Sequence, residues 1–190
     1  TIESFSKEDI LIFAGNVYNR KLSQDLVSNL FDYNLKKQLA CAFYFLAKGG
    51  GRLVTFRSFL ELLEKPINVS LDLYRKSKVA FHESICLLDG YYDFDWLSIN
   101  LYDNFGLNDP RGKFVSEIRA RLINQKEMMV SAPNTMIDVM SVNQQVDCIV
   151  SSLKDGVTGE YSLASFSPIS LLEILEIMEI VNGKGAVKYN

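Results

Sequence analysis

The stretch "DILIFAG" (residues 9–15) is an uninterrupted apolar run that ends in glycine. This pattern is typical of a β-strand that is buried on both faces of a sheet. A helix is predicted next, over about residues 23–47, and the three glycines at 49–51 end it. A second β-rich run, "RLVTF" (52–56), follows those glycines. A strand, a helix and a strand in this order indicate a parallel βαβ unit.

The alternation of strand and helix continues along the rest of the chain. Strands are predicted over residues 94–102, 127–130 and 159–164, and helices over 71–88, 113–124, 142–153 and 170–180. Pro66 and a cluster of turn residues predict loops over 57–70 and 103–112. The order favours an α/β fold with a largely parallel sheet flanked by helices.

Composition limits the classes of function. The 190 residues suit one domain or a large part of one, and 48% hydrophobic with 23% charged residues is ordinary for a globular protein. A net charge of -3 supplies no basic field for a phosphate backbone, so we expect no nucleic-acid partner. Because no apolar run is long enough to span a bilayer and no signal peptide is evident, we expect no membrane association and a cytoplasmic location.

The cysteines and the histidine point away from metal chemistry. Cys41, Cys86 and Cys148 show no CxxC spacing, and we expect them to be small buried hydrophobic residues in a reducing compartment. The single histidine, His82, excludes a histidine-rich metal site and argues against a Ser-His-Asp triad. We therefore predict no metal site.

Three tyrosines have a lysine four residues later: Tyr33 with Lys37, Tyr44 with Lys48, and Tyr74 with Lys78. Chance predicts about 0.6 such pairs for nine tyrosines and 13 lysines in 190 residues. The spacing alone therefore does not identify a functional pair. The first two pairs lie on the predicted helix 23–47 with no polar loop leading into them, so we interpret both as structural.

The third pair lies on an apolar stripe of the helix predicted over 71–88. The positions that share this stripe are Leu71, Tyr74, Lys78, Phe81, Ile85 and Leu88. The charge of a lysine there favours ionisation of a neighbouring phenol, which could then exchange a proton with a substrate hydroxyl or carbonyl. The alternative is a lysine that extends its ammonium from the helix edge into water.

The loop before this helix offers a hydroxyl group. "RLVTFRSF" (52–59) places Thr55 and Ser58 at the end of a strand, where open α/β sheets bind ligands. Either hydroxyl could bind the substrate oxygen that Tyr74 protonates. The alternative is an ordinary polar strand end.

These motifs, taken in order, resemble the extended short-chain dehydrogenase/reductases, specifically the NAD-dependent sugar epimerase/dehydratase group that acts on nucleotide sugars. Within that group the chain is most similar to the deoxysugar synthases and reductases of surface-polysaccharide pathways. Asn34 also matches an asparagine of the family's helix. The matching segments are "ILIFAG" (10–15), "RLVTFRSF" (52–59), "YRKSK" (74–78), "INLYDNFGLNDPRGKF" (99–114) and "GEYSLASFSPISLLEILEIM" (159–178).

The resemblance implies a Rossmann-type fold and a set of catalytic roles. Residues 1–105 would be the C-terminal part of a dinucleotide-binding domain that carries the catalytic residues, and 106–190 mostly a substrate-binding region. Tyr74 would be the general acid/base, and Lys78 would lower its pKa and bind the nicotinamide ribose. Ser58, or in its place Thr55, would polarise the substrate oxygen.

The resemblance also implies a cofactor, a substrate and an oligomer. The cofactor would be NAD or NADP, contacted by Ala14, Gly15, Lys78 and Tyr102. Asp103 and Asn104 would bind a nucleotide-sugar substrate beside the nicotinamide, and Arg111 would approach its nucleotide part. Family members often dimerise through the helices equivalent to 25–47 and 71–88, so we expect a homodimer.

The chain departs from the family pattern in ways that leave a second interpretation open. The Gly-rich dinucleotide turn is absent from these residues, so we expect the N-terminal βαβ part to be missing. Ile137 stands where the family commonly has arginine, Asn143-Gln144 where it has an acidic pair, and Asn100 replaces a usual arginine. The alternative function is a catalytically degraded relative that binds a ligand or partner without turnover.

Overall fold

A computed structural model provides the structure of the chain and describes residues 4–18, 23–106, 113–124, 126, 128–130, 132–182 and 187–189. The chain divides into two compact units, Thr1–Leu101 with Gly156–Ser162, and Tyr102–Asp155 with Leu163–Asn190. The functional division at residue 105 stays a prediction.

The helices and strands of the two units alternate along most of the chain. The helices are α1 (Gln24–Phe31), α2 (Gln38–Ala47), α3 (Val69–Asp89), α4 (Phe114–Ile123), α5 (Val142–Lys154) and α6 (Leu171–Asn182). The strands are β1 (Ile10–Phe13), β2 (Arg52–Ser58), β3 (Asp95–Leu101), β4 (Asp103–Phe105), β5 (Met128–Val130), β6 (Met136–Ile137), β7 (Val139–Ser141), β8 (Gly159–Leu163), β9 (Ile169–Ser170) and β10 (Val187–Tyr189).

The first unit is built on a four-stranded sheet in the order β1-β2-β3-β8. β1 pairs with β2, and β2 with β3, in parallel, so that Thr55 lies beside Phe13 on one side and Ser98 on the other. The carboxyl ends of these strands therefore meet at one edge of the sheet. The α/β prediction with a parallel sheet flanked by helices is confirmed.

The core of the first unit lies between the sheet and the helices α2 and α3. Its buried members are Phe13, Ala42, Phe45, Leu46, Leu53, Phe81 and Ile85. Since side chains alternate along a strand, Leu11 and Phe13 of β1 pack on this core while Ile10 and Ile12 point to the opposite face. Ile10 is 42% exposed and Ile12 is 45% exposed, so the prediction of a strand buried on both faces is wrong for β1.

The predicted helix over 23–47 is confirmed but contains an irregular turn. A π-helical segment, Asp32–Lys37, joins α1 to α2 and buries Asn34 completely. Gly49 ends the helix with a φ of 94°, a left-handed conformation that glycine adopts without steric cost. A Cβ at Gly51 would lie 2.0 Å from the Lys7 carbonyl oxygen, so this close approach also requires glycine.

The second unit contains α4, α5, α6 and several very short strands. β4 pairs with β7 and β10 with β5 in parallel, and β6 pairs with β9 in antiparallel fashion. Its buried core consists of Ile118, Leu122, Val130, Ile174 and Leu175. The loop prediction for 103–112 is wrong at residues 103–105, which form β4, and residues 107–112 lie outside the described residues.

The prediction of buried cysteines is wrong. Cys41, Cys86 and Cys148 are all exposed and free, because each occupies a helix position that faces away from the core. Among the described residues, no helix combines the length and the apolar character that crossing a membrane requires.

Candidate active site

Helix α3 carries the central residues of the site. It is 21 residues long, and Asn68 caps its start, because the Asn68 side-chain Oδ1 accepts a hydrogen bond from the Leu71 backbone N–H at 3.0 Å. The predicted apolar stripe is confirmed where Lys78, Phe81 and Ile85 are buried. Tyr74 lies half-buried one turn before Lys78 on the same side of the helix.

The ammonium of Lys78 is held inside the protein. The residue is only 3% exposed, and its Nζ donates hydrogen bonds to the Asn16 Oδ1 at 3.2 Å and to the Phe56 carbonyl oxygen. Burial lowers the pKa of Lys78 to about 8, an effect that the charge of Glu61 opposes and that of Arg57 reinforces. The alternative of a lysine that extends into water therefore does not hold.

A buried asparagine shapes the loop that reaches Lys78. The Asn34 Oδ1 accepts from the Val17 N–H at 2.7 Å, and its Nδ2 donates to the Val17 carbonyl at 2.8 Å. The same Nδ2 lies 3.3 Å from the Ser77 Oγ on α3. The loop after β1 is therefore fastened to the π-helical segment, which places Asn16 beside Lys78.

Tyr74 lies beside this loop. Its ring centroid is 5.2 Å from that of Tyr18, with the two ring planes at 68°. The Ser77 hydroxyl donates to the Tyr74 carbonyl oxygen at 2.7 Å, which ties the helix turn between Tyr74 and Lys78 to Asn34. The structure thus brings Tyr74, Lys78 and the loop after β1 into one neighbourhood of the first unit.

The two hydroxyl candidates lie in different surroundings. Thr55 is 2% exposed, and its Oγ1 accepts a hydrogen bond from the Trp96 Nε1 at 2.9 Å. Ser58 is half-buried and caps the short 3₁₀ turn Phe59–Leu62, where its Oγ accepts from the Leu60 N–H at 3.3 Å. Both hydroxyls accept in these contacts and keep a proton to donate, but only Ser58 is partly open to solvent, which favours Ser58 over Thr55 as a substrate contact.

The remaining cofactor candidates in the first unit surround open space. Ala14 and Gly15 are exposed, and no described atom lies within 4 Å of the place where a Cβ at Gly15 would stand. The Lys78 ammonium has three donors, and only two have partners among the described residues. One N–H is therefore available for a ligand hydroxyl, which fits the predicted contact with a ribose.

Tyr102, a predicted cofactor contact, and the predicted substrate residues Asp103 and Asn104 belong to the second unit. Tyr102 and Asp103 are half-buried, and burial raises the pKa of the Asp103 carboxyl while Lys113 opposes the shift. The Asn104 Oδ1 accepts from the Lys113 Nζ at 2.9 Å, and its Nδ2 donates to the Gln145 Oε1 at 3.2 Å. Arg111 lies outside the described residues.

Gln144, at which the chain departs from the family pattern, and Asp138, at which it does not, both have structural roles. Gln144 forms a capping box with Ser141 that begins α5. Asp138 accepts hydrogen bonds from the Ser165 N–H at 2.7 Å and from its Oγ at 3.0 Å. These contacts stabilise the second unit.

Sequence reasoning missed Asn16 and Gln145. Asn16 follows β1 by three residues, and an amide at the end of a buried strand could have been suspected as a lysine partner. Gln145 is 4% exposed on α5, and no spacing in the sequence connects it with Asn104.

No protein-family model and no curated protein matches this sequence. Solved structures do match. The chain is similar to UDP-glucuronic acid 4-epimerase from Bacillus cereus, in complex with NAD, with a TM-score of 0.82 and 11% identity over 96% of this chain and 63% of that one. It is also similar to UDP-N-acetylglucosamine 4-epimerase from Methanobrevibacter ruminantium, with a TM-score of 0.78 and 12% identity over 95% of this chain and 63% of that one.

A third similar structure is RMD from Pseudomonas aeruginosa, complexed with NADPH, with a TM-score of 0.81 and 16% identity over 95% of this chain and 69% of that one. The chain thus spans less than two thirds of the length of the two epimerases. The resemblance seen in the sequence is confirmed at the level of the fold, which the chain shares with these three solved structures.

Proposed function

We propose that the chain belongs to an NAD(P)-dependent enzyme that epimerises, dehydrates or reduces a nucleotide-linked sugar. The observation that carries the proposal is the buried ammonium of Lys78, one turn after Tyr74, at the carboxyl end of β2. The chain shares its fold with solved epimerases that bind UDP-sugars and NAD, and this similarity supports the same proposed function.

The cofactor requires a ribose contact and space beside the sheet. Lys78 would donate its third N–H to a ribose hydroxyl, and the loop containing Ala14 and Gly15 would lie along the cofactor. When bound, the nicotinamide supplies hydride transfer to or from a sugar carbon. Contacts from Tyr102, Asp103, Asn104 and Arg111 stay part of this proposal.

The protein's own residues supply the proton chemistry. The positive charge of Lys78 stabilises the phenolate of Tyr74, which brings the tyrosine closer to the pKa that a general acid/base needs near neutral pH. The Tyr74 Oη then gives a proton to a sugar carbonyl oxygen or removes one from a sugar hydroxyl. The Ser58 hydroxyl donates a hydrogen bond to the same oxygen and disperses its developing charge.

The test uses the full-length protein and a panel of UDP- and GDP-sugars with NAD and NADP. Tyr74→Phe removes only the hydroxyl, so it should lower kcat by about 10²- to 10⁴-fold while the melting temperature and cofactor affinity stay the same. Tyr33→Phe is the matched control and should retain full turnover. Equal turnover in wild type and Tyr74→Phe would contradict the role of Tyr74 as general acid/base.

The second candidate function is ligand or partner binding without turnover. Ile137 and Asn143-Gln144 motivate it, and the capping role of Gln144 shows that this position now serves the fold. Calorimetry with NAD, NADP and sugar nucleotides distinguishes the two candidates. Failure of the full-length protein to bind any nicotinamide cofactor, or binding without turnover, favours the second.

We further propose a cytoplasmic homodimer. Exposed apolar side chains on the outer faces of α2 and α3 support the dimer, with Phe43 52% and Leu87 70% exposed. The free thiols of the three cysteines suit a reducing compartment. Phe43→Glu should convert a dimer to a monomer in sedimentation equilibrium, and a wild-type protein that sediments as a monomer contradicts the proposal.

A further inference from the structure

The row of residues that contains Tyr74 and Lys78 continues along α3. His82 and Cys86 follow at the same spacing of four, so their side chains emerge from one side of the helix. Glu160 on β8, in the same unit, reaches the pair from the sheet. One ligand atom from each of His82, Cys86 and Glu160 lies within 4.8 Å of the other two.

We propose that His82, Cys86 and Glu160 form a binding site for a divalent transition metal of the zinc class. An imidazole nitrogen, a thiolate sulfur and a carboxylate oxygen are the ligands that Zn²⁺ and Co²⁺ accept together, with water as the fourth ligand. The prediction of no metal site considered histidine-rich sites, whereas this set needs only one histidine.

The surroundings of His82 support a ligand role. Its side chain is only 13% exposed. Its Nε2 lies 3.3 Å from the Glu160 Oε1. The ring also packs against Trp96, with the ring centroids 5.0 Å apart, so its position is fixed by contacts outside the site.

One cation already lies beside these groups, and it would compete with the metal. An Nη1 of Arg57 is 2.9 Å from the Glu160 Oε2 and 3.3 Å from the His82 Nε2. The Arg57 Nε also contacts the Glu61 Oε2 at 3.1 Å, and the Glu61 side chain is fully buried. Arg57 therefore keeps one carboxylate partner when Glu160 turns to a metal, and the affinity of the site reflects this exchange.

Metal binding would fasten one segment of the first unit to another. Glu160 belongs to the segment Gly156–Ser162, which returns to the first unit from far along the chain. A metal bound by two ligands from α3 and one from β8 would link this segment directly to the helix. The effect does not require the cofactor or the sugar, so the site can be tested independently of the proposed enzymatic activity.

The test is a titration of the reduced, metal-free chain with Co²⁺ alone. We expect one Co²⁺ per chain and a thiolate-to-cobalt charge-transfer band in the near ultraviolet, which one equivalent of Zn²⁺ removes. Cys86→Ser should abolish the band, and Glu160→Gln should weaken binding by more than about 10-fold, because loss of a group that merely orients a ligand already costs that much. Cys41→Ser and Cys148→Ser are the matched controls and should keep the band and affinity.

Removal of the competing Arg57 cation should raise the Co²⁺ affinity, whereas removal of a ligand lowers it. Arg57→Gln should strengthen Co²⁺ binding, and thermal melting of each metal-free variant shows that it is folded. A wild-type chain without the band, or a Cys86→Ser variant that keeps it, would overturn the site. Unchanged affinity in folded Arg57→Gln would overturn the competition with Arg57.

Discussion

Tyr33 with Lys37 and Tyr74 with Lys78 have the same spacing on two helices of the same unit, and their surroundings are opposite. Lys37 lies on the surface, where its Nζ is 3.6 Å from the centroid of the Tyr33 ring and 3.0 Å from the Asp32 carboxylate. The Lys37 side chain is 51% exposed, whereas Lys78 as a residue is 3% exposed. Identical spacing thus produces a solvated surface pair in one place and a buried cation in the other.

The two lysines also differ in the direction of their pKa shifts. The hydrogen bond with Asp32 raises the pKa of Lys37, while burial lowers that of Lys78 to about 8. Only Lys78 therefore approaches the pH range in which a lysine can exchange its proton. Burial at the carboxyl end of a strand, and not the Tyr-x-x-x-Lys spacing, therefore distinguishes the pair that we propose as catalytic.

The largest contrast between the pairs should appear in turnover. In the proposed mechanism Lys78→Met removes the charge that stabilises the Tyr74 phenolate, so kcat should fall by about 10²-fold or more, the range of a lost proton-transfer contribution. Lys37→Met should leave kcat within twofold of wild type, by the order of effect expected for an exposed pair. Initial rates measured for both variants on the same substrate compare the pairs directly. A similar loss in both would remove the distinction.

The second largest difference between the pairs should appear in the pH dependence of the free energy of unfolding. The pKa of Lys78 falls from 10.5 to about 8 on folding, so burying the ammonium costs about 3 kcal/mol at neutral pH. Between these two values the unfolded chain binds more protons than the folded chain, and stability therefore rises with pH through this window.

The free energy of unfolding should accordingly rise by up to about 3 kcal/mol relative to Lys78→Met between pH 7 and pH 11. Urea unfolding of wild type and variant at several pH values measures this difference. Lys37→Met serves as the control, because Lys37 gains no burial. A wild-type-minus-variant difference that is flat with pH contradicts the buried ammonium.

The surface pair and the buried pair are connected through Asn34, which lies between Tyr33 and Lys37. Asn34→Ala leaves the Val17 N–H and carbonyl without their side-chain partner, so we expect a loss of about 1–3 kcal/mol in the free energy of unfolding. Lys36→Ala, four-fifths exposed on the same segment, should change it by at most about 0.5 kcal/mol. Equal effects in chemical denaturation would show that Asn34 does not hold the loop.

The smallest effect concerns the surface pair itself. Lys37→Met removes an exposed ion pair and a cation–π contact, which together should contribute less than about 1 kcal/mol. The loss should shrink further in high salt, because screening weakens exposed charges. Thermal melts at low and high salt measure it. A salt-independent loss of several kcal/mol would contradict the exposed position of Lys37.

The order of strands and helices was predictable because hydrophobic periodicity is local. The same periodicity placed Lys78 in the stripe of α3, but it left open whether the ammonium is buried or extends into water. The periodicity did not indicate the partners of the ammonium, since the Phe56 carbonyl is backbone and Asn16 lies 62 residues away in sequence. Such contacts depend on how β1, β2 and α3 pack.

Other features needed the tertiary structure for different reasons. β6 and β9 have two residues each, too few to show an alternating pattern. The exposure of Ile10 and Ile12 depends on what covers a sheet face, which a strand's own residues do not encode. The meeting of Arg57, His82 and Glu160 joins residues from β2, α3 and β8, and no motif spacing spans that distance.

The π-helical segment Asp32–Lys37 contains one residue more than regular α-helical winding would need. The extra residue changes the direction in which the side chains after it leave the helix axis. An α-helix turns by about 100° per residue, so removing one residue from this segment would restore regular winding and swing Asn34 away from Val17 and Ser77. The same deletion would rotate α1 about the helix axis relative to α2, so that different side chains of α1 would face the core. The length of this helix is therefore constrained to the residue.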